Sequence, residues 1–243
     1  MAKTSIAWTN YTFNIAWGCV EASRGCDHCY ARTLAQRFGI GWGVGAPRRL
    51  MTGKYWNEPL RWNRKAERLG TRLRVFTSSM TDVFLNDPTI DAERNKLWPL
   101  IKATPNLTWQ VLTKHPERLQ AQLPADWPEA YPNVWLGVTV EDVDAAWRAD
   151  LLRQTPAHVR FLSLEPLLGH IPAVVLRDMD WVIVGGESGR GARPMDLRWA
   201  RDVRDDCVAM GIPYFLKQLG GEQDKRDGDD AVLDGTVYRE FPA

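Results

Sequence analysis

The sequence predicts an α/β protein, a (β/α) barrel that is TIM-barrel-like, incomplete and built mostly of parallel strands. Three observations predict it. Short apolar runs rich in β-branched and aromatic residues recur along the chain, as parallel strands covered on both faces require. Helical stretches separate them at a spacing of roughly 25 residues, the rhythm of βα repeats. A charged residue then stands at or just beyond the C-terminal end of nearly every run, where such folds build their sites: Asp82, Lys114, Glu141, Glu165, Glu187 and Lys217.

Taken in order, the predicted strands are residues 12–16, 73–77, 108–112, 134–138, 159–163, 181–184 and 213–216. Seven strands suit a partial barrel better than an open six-stranded sheet. Helices are predicted over 28–38, 91–102, 143–153 and 198–210, with Asp91 and Asp142 as N-caps and Gly211-Ile212-Pro213 as a stop. Residues 39–58, rich in Gly, Arg and Trp, read as a loop insertion. Residues 220–243 read as a partly mobile tail in which 237–241 dock as a small strand. The whole of 1–243 is expected to form one domain, a size that buries a sizeable core.

Composition narrows the function. With 31 basic and 30 acidic residues the net charge is +1, so no global field draws the chain to nucleic acid or membrane. The N-terminus has no apolar h-region and no apolar run approaches the roughly 20 residues that span a bilayer. A cytoplasmic protein with no membrane partner is expected. There thiols stay reduced, so clustered cysteines point to metal or catalysis. Arg61, Arg64, Lys65, Arg68, Arg72 and Arg74, interleaved with Trp56 and Trp62, read first as a solvated helix face. The wider Arg/Trp segment 48–74 is also a candidate surface for a nucleic-acid substrate.

Three of four cysteines fall between residues 19 and 29, in the spacing C-x6-C-x2-C: Gly18-Cys19 … Gly25-Cys26-Asp27-His28-Cys29-Tyr30. Cys26 and Cys29 can serve one metal centre, and the loop back to Cys19 supplies a third sulfur. Entry into a helix N-terminus offers N–H groups to thiolate and sulfide. Three thiolates satisfy three irons of a cubane and leave the fourth open for chemistry. Alternate residues of a strand share a face, which points Ser163 and Glu165 inward together.

These residues resemble the radical S-adenosylmethionine superfamily. More closely, the chain looks like a phage-associated three-cysteine-motif family, through Ile6-Ala7-Trp8-Thr9, Thr12-Phe13-Asn14, the cysteine motif, residues 182–189 (VIVGGESG) and residues 213–218 (PYFLKQ). The resemblance implies a [4Fe–4S] cluster on Cys19, Cys26 and Cys29, with S-adenosyl-L-methionine on its open iron. It also implies an external electron donor and a 5′-deoxyadenosyl radical that modifies or repairs a substrate. Tyr30 is expected near the adenine, as an aromatic often is in such enzymes. The superfamily's commonest first gap is three residues and here it is six. Its Gly-Gly-Glu element follows the second strand, whereas Gly185-Gly186-Glu187 follows a late one. Ser163, Gly185, Gly186 and Glu187 are expected to contact the cofactor, and Glu165 and Lys217 to act in catalysis. Two other readings stay open: a zinc-stabilised scaffold with a partner protein, and a nucleic-acid-binding accessory protein without catalysis. Zinc wants four ligands, and His28 abuts Cys29 too closely for easy joint ligation. His115, His158 and His170 read as surface or capping residues, and Cys207 as a core residue.

Overall fold

The computed structural model describes residues 4–221 and 231–243, so part of the expected tail, 222–230, lies outside the described residues. Seven strands form one parallel sheet in chain order: β1 Tyr11–Phe13, β2 Leu73–Thr77, β3 Leu107–Thr113, β4 Val134–Thr139, β5 Val159–Leu164, β6 Trp181–Gly185 and β7 Tyr214–Gln218. The sheet curls into a half-barrel with β1 and β7 as its edges, the incomplete (β/α) barrel that the spacing predicts. Its helices are α1 Tyr30–Arg37, α2 Gly53–Trp56, α3 Glu58–Leu69, α4 Pro88–Lys102, α5 Leu119–Gln122, α6 Trp147–Gln154 and α7 Leu197–Met210. No described helix is long and apolar enough to cross a membrane.

Strand alternation divides the core in two. Val75, Trp109, Val111, Leu136, Val138, Leu162, Val182, Val184 and Leu216 face the helices in one large cluster. Phe76, Phe161, Trp181, Ile183 and Phe215 face the concave side, where Trp8 joins them. Trp181 is the hub of that interior. Its ring lies 6.2 Å from Trp8, 5.5 Å from Trp135, 5.6 Å from Phe161 and 5.3 Å from Phe241, mostly in tilted or edge-on geometry. Its indole N–H donates to Glu240 O at 2.9 Å. The chain around Tyr238–Glu240 runs antiparallel along the β7 edge, with Leu216 N donating to Tyr238 O and Glu240 N to Tyr214 O.

Local detail departs from the sequence reading in several places. Where a helix is expected over 143–153, Asp142 caps a short 3-10 turn, Val143–Ala145, and α6 begins only at Trp147. The fourth helix starts at Pro88, not at residue 91, because Asp87 accepts from Thr89 N at 2.9 Å and Pro88 suits the first turn. Asp91 instead accepts from Arg94 at 2.7 Å. Within residues 39–58 the chain forms α2 and a two-residue strand, Arg49–Leu50, paired antiparallel with Ala16–Trp17. The tryptophans of the Arg/Trp segment turn to the sheet: Trp62 stacks on Tyr11 at 4.4 Å and Trp56 meets Phe13 edge-on at 5.1 Å. To solvent α3 shows Arg61, Arg64 and Arg68, together with Glu67 and Leu69.

Gly137 faces the concave side, and a Cβ there would lie 2.5 Å from the Phe161 ring. Gly137→Ala is expected to destabilise the fold by about 1–3 kcal/mol through overpacking. A urea titration should show a lower midpoint at unchanged slope.

Candidate functional site

A cavity of about 230 Å³ opens at the C-terminal ends of the strands. Cys19, Cys26 and Cys29 line one wall. Tyr30, Ser163, Glu165, Gly186, Glu187 and Lys217 line it too, together with Asp82 and Lys114. Ile6, Trp8, Phe76 and Leu112 contribute apolar surface. Gly185 lies outside the lining, one residue behind Gly186. Of the six strand-end charges, five reach this cavity, and the sixth, Glu141, is buried beside it at 1% exposure.

The cysteine segment follows the Ala16–Trp17 strand. Gly18, at φ 110°, makes the turn, and its N–H donates to Met80 O while Thr81 Oγ1 donates to its carbonyl. Arg48, whose side chain is 2% exposed, donates to Cys19 O, Gly43 O and Asp87. Cys29 is the N-cap residue of α1. All three cysteines are free thiols. Burial, and next the charge of Asp82, pushes the Cys19 thiol up to about 12, with Cys26 and Cys29 adding to the rise. Burial also raises Cys29, against the pull of the Arg32 and Ala31 amides at the helix start. Among the described residues, no group of three or more His, Cys, Asp or Glu is placed to hold a metal ion.

Two buried carboxylates hold this loop from either side. Glu141 accepts from Ser23 Oγ at 2.7 Å, Lys114 Nζ at 2.7 Å and Arg148 at 2.9 Å. Burial works against its charge, but Lys114 and Arg148 hold its pKa below the usual range. Gly25 is glycine for contact: a Cβ there would sit 2.4 Å from the Glu141 carboxylate. Across the loop, Glu187 Oε2 accepts from His28 Nδ1 at 2.8 Å and from Arg193 N and Nε at 2.9 Å each. Its Oε1 takes Arg193 at 2.5 Å. Arg193 then continues into the loop, to Asp27 at 3.0 Å and Arg24 O at 2.9 Å. Burial opposes ionisation of Glu187, yet these donors pull its pKa to about 2.

On the opposite wall Lys217 Nζ lies 2.8 Å from Glu165 Oε2, and Ser163 Oγ donates to Glu165 Oε1 at 3.3 Å. The strand alternation that points Ser163 and Glu165 inward is thus present. Tyr30 stands at the mouth, 55% exposed, its hydroxyl donating to Ser79 O at 3.4 Å. Gly186 is tight against its own chain: a Cβ there would meet Leu219 O at 2.1 Å. His115, read as a surface or capping residue, lines the cavity because β3 ends just before it, and Nδ1 pairs with Glu117 at 3.0 Å. His158 and His170 are exposed, and Cys207 is buried on α7. Sequence reasoning missed Arg193, Ser23, Arg148 and the part played by His28. No spacing announces Arg193, which reaches back across more than 160 residues of chain.

The chain belongs to the DUF5131 family, described as proteins of unknown function, whose family model matches residues 3–242. No curated protein matches it in sequence. Among solved structures it is similar to a spore photoproduct lyase mutant, at TM-score 0.57 and 13% identity over 89% of this chain and 78% of that one. A second spore photoproduct lyase mutant, solved with bound AdoMet and dinucleoside spore photoproduct, aligns at TM-score 0.51 and 14% identity. That match covers 82% of this chain, which spans 61% of the length of the lyase chain. At these identities the likeness is one of fold.

The Glu187 clamp carries a pH signature. A folded-state pKa held below the ordinary 4.5 stabilises the protein above that value, and protonation removes the contribution as pH falls from about 4.5 toward 2. Arg193→Met should therefore lower stability at neutral pH and flatten its fall in that acid window, as measured by denaturant midpoints across pH.

Proposed function

We propose that this DUF5131 chain is an iron–sulfur enzyme of the radical S-adenosylmethionine type that modifies or repairs a nucleic-acid substrate. The observation that carries the reading is the sharing of one cavity, at the C-terminal rim of a half-barrel, by three cysteines and a set of polar strand-end residues. The donor set suits a [4Fe–4S] cluster: three thiols on one wall, one of them at a helix N-terminus. The fourth cysteine, Cys207, is buried on α7 and does not line the cavity. When bound, the cluster supplies the electron that breaks the carbon–sulfur bond of S-adenosylmethionine, releasing a 5′-deoxyadenosyl radical that takes hydrogen from substrate.

The chain's own residues then have assignable work. Cys19, Cys26 and Cys29 are the ligands, carried on a loop that the Glu141 and Glu187 clamps anchor through Ser23, His28 and Arg193. Glu187 positions the loop through Arg193 and His28, which load Oε2 with three donors and Oε1 with one, and its place in the cavity lining leaves Oε1 able to meet a cofactor group. Lys217 and Glu165 present a cation and a carboxylate side by side, suited to the carboxylate and amine of an amino acid or to the oxygens of a nucleotide. Ser163 adds a hydroxyl beside them, and Tyr30 offers a ring at the mouth. Trp8, Phe76 and Leu112 keep water from the reacting groups. A nucleic-acid substrate is supported by the structural neighbour solved with a dinucleoside photoproduct, and by Arg61, Arg64 and Arg68, which α3 shows to solvent.

Purification without oxygen, iron and sulfide counts, reduction and assay for 5′-deoxyadenosine test the reading. The expected result is brown protein with about four irons, lost in Cys26→Ala, that forms 5′-deoxyadenosine faster when oligonucleotide is added. Lys217→Met should keep the iron and lose roughly tenfold or more of that activity, the scale of a charged hydrogen bond. Zinc in place of iron, or intact cluster with no cleavage of S-adenosylmethionine, would overturn it.

A further inference from the structure

Resting on the reading above, we infer that His115 is a general base of this cavity, taking a proton from an N–H or O–H of the nucleic-acid substrate. Two of the chain's four histidines line the cavity, His28 and His115. His28 holds the cysteine loop through Glu187. His115 has no such task.

Its imidazole is set up by its neighbours. Nδ1 lies 3.0 Å from Glu117 Oε1. A carboxylate only accepts, so Nδ1 carries the hydrogen and Nε2 keeps a lone pair. Nε2 is buried and meets no hydrogen-bond partner among the described residues. The Glu117 side chain is 47% exposed and that of His115 only 20%, so the paired nitrogen faces outward and the free one the cavity wall. The backbone beneath is fixed. His115 N donates to Thr113 Oγ1 at 2.8 Å, and that hydroxyl donates to Asp82 at 2.7 Å. Arg118 N donates to His115 O at 3.2 Å, and buried Pro116 follows. A base held this way has little freedom left to lose on meeting substrate.

Lys114 lines the same cavity one residue earlier. Its Nζ gives one donor to Glu141 at 2.7 Å, and an ammonium carries three. A fixed cation beside a base favours the anion that proton removal leaves. The substrate class follows: a nucleotide whose reacting carbon adjoins a base N–H or a sugar hydroxyl. Loss of a hydrogen atom from such a carbon makes the neighbouring heteroatom proton more acidic. The N–H or O–H bond then breaks, its electron pair stays on nitrogen or oxygen, and its proton passes to Nε2. The electron count is unchanged, so this step needs no oxidant or reductant.

The first test uses the full chain without cluster. Nitrogen NMR of the His115 ring, assigned with His115→Gln, should show Nδ1 protonated and Nε2 bare, a preference lost in Glu117→Leu. The second uses protein reconstituted with iron and sulfide, given S-adenosylmethionine, reductant and single-stranded oligonucleotides of mixed sequence. His115→Ala should lose about 100-fold of the oligonucleotide-stimulated 5′-deoxyadenosine formation, the scale of a general base. Iron content and oligonucleotide binding should hold, and added imidazole should restore part of the rate. A hydrogen on Nε2, an alanine variant as fast as the parent, or a loss that imidazole does not mend would overturn the base and leave the enzyme standing. A parent that forms no 5′-deoxyadenosine would overturn the enzyme reading itself, and the base with it.

Discussion

The cysteine loop stays in shape because two buried carboxylates grip it. Glu141 reaches Ser23 from one side while being neutralised by Lys114 and Arg148. Glu187 reaches His28 from the other while Arg193 bridges onward to Asp27 and Arg24 O. Neither charge could be buried alone, since an unpaired carboxylate out of water is several kcal/mol less favourable. Each is therefore stable only when the loop and the strand ends are both in position. The sheet thus sets the loop's geometry, and three thiols that would otherwise avoid a common buried site are brought to one wall.

The half-barrel behind that wall follows from simple alternation. One set of side chains packs under the helices and the other fills the concave side. An open barrel exposes its interior along one side, and here Trp8 and Phe241 cover part of it by packing on Trp181. Backbone pairing of Tyr238–Glu240 along β7 satisfies an edge that would otherwise invite association with another strand. The polar rim and the apolar interior meet at the cavity, so groups able to carry charge stand directly above a dry floor.

Much of this was legible in the sequence because it depends on short-range pattern. The apolar runs predicted all seven sheet strands, and the turn from strand to helix placed Cys19, Cys26 and Cys29 together. Ser163 and Glu165 were readable from their spacing of two. Partners distant along the chain were not. His28 reaches Glu187 from 159 residues away, and although Arg193 stands only six residues on, no pattern in the intervening loop signals that it turns back onto that carboxylate. Trp56 and Trp62 sit among arginines in sequence yet face Phe13 and Tyr11, because helix periodicity turns them to the sheet while the charges stay outside. His115 reads from sequence as a surface or capping residue, since a lone histidine after a strand carries no pattern that would place it in the cavity lining.

The aromatic hub has a kinetic consequence. Trp181 touches Trp8 from the beginning of the chain and Phe241 from its end. Contacts so remote in sequence form late in folding, after the loop-closure entropy between them has been met. Docking of both chain ends on Trp181 is therefore expected among the slower steps of folding.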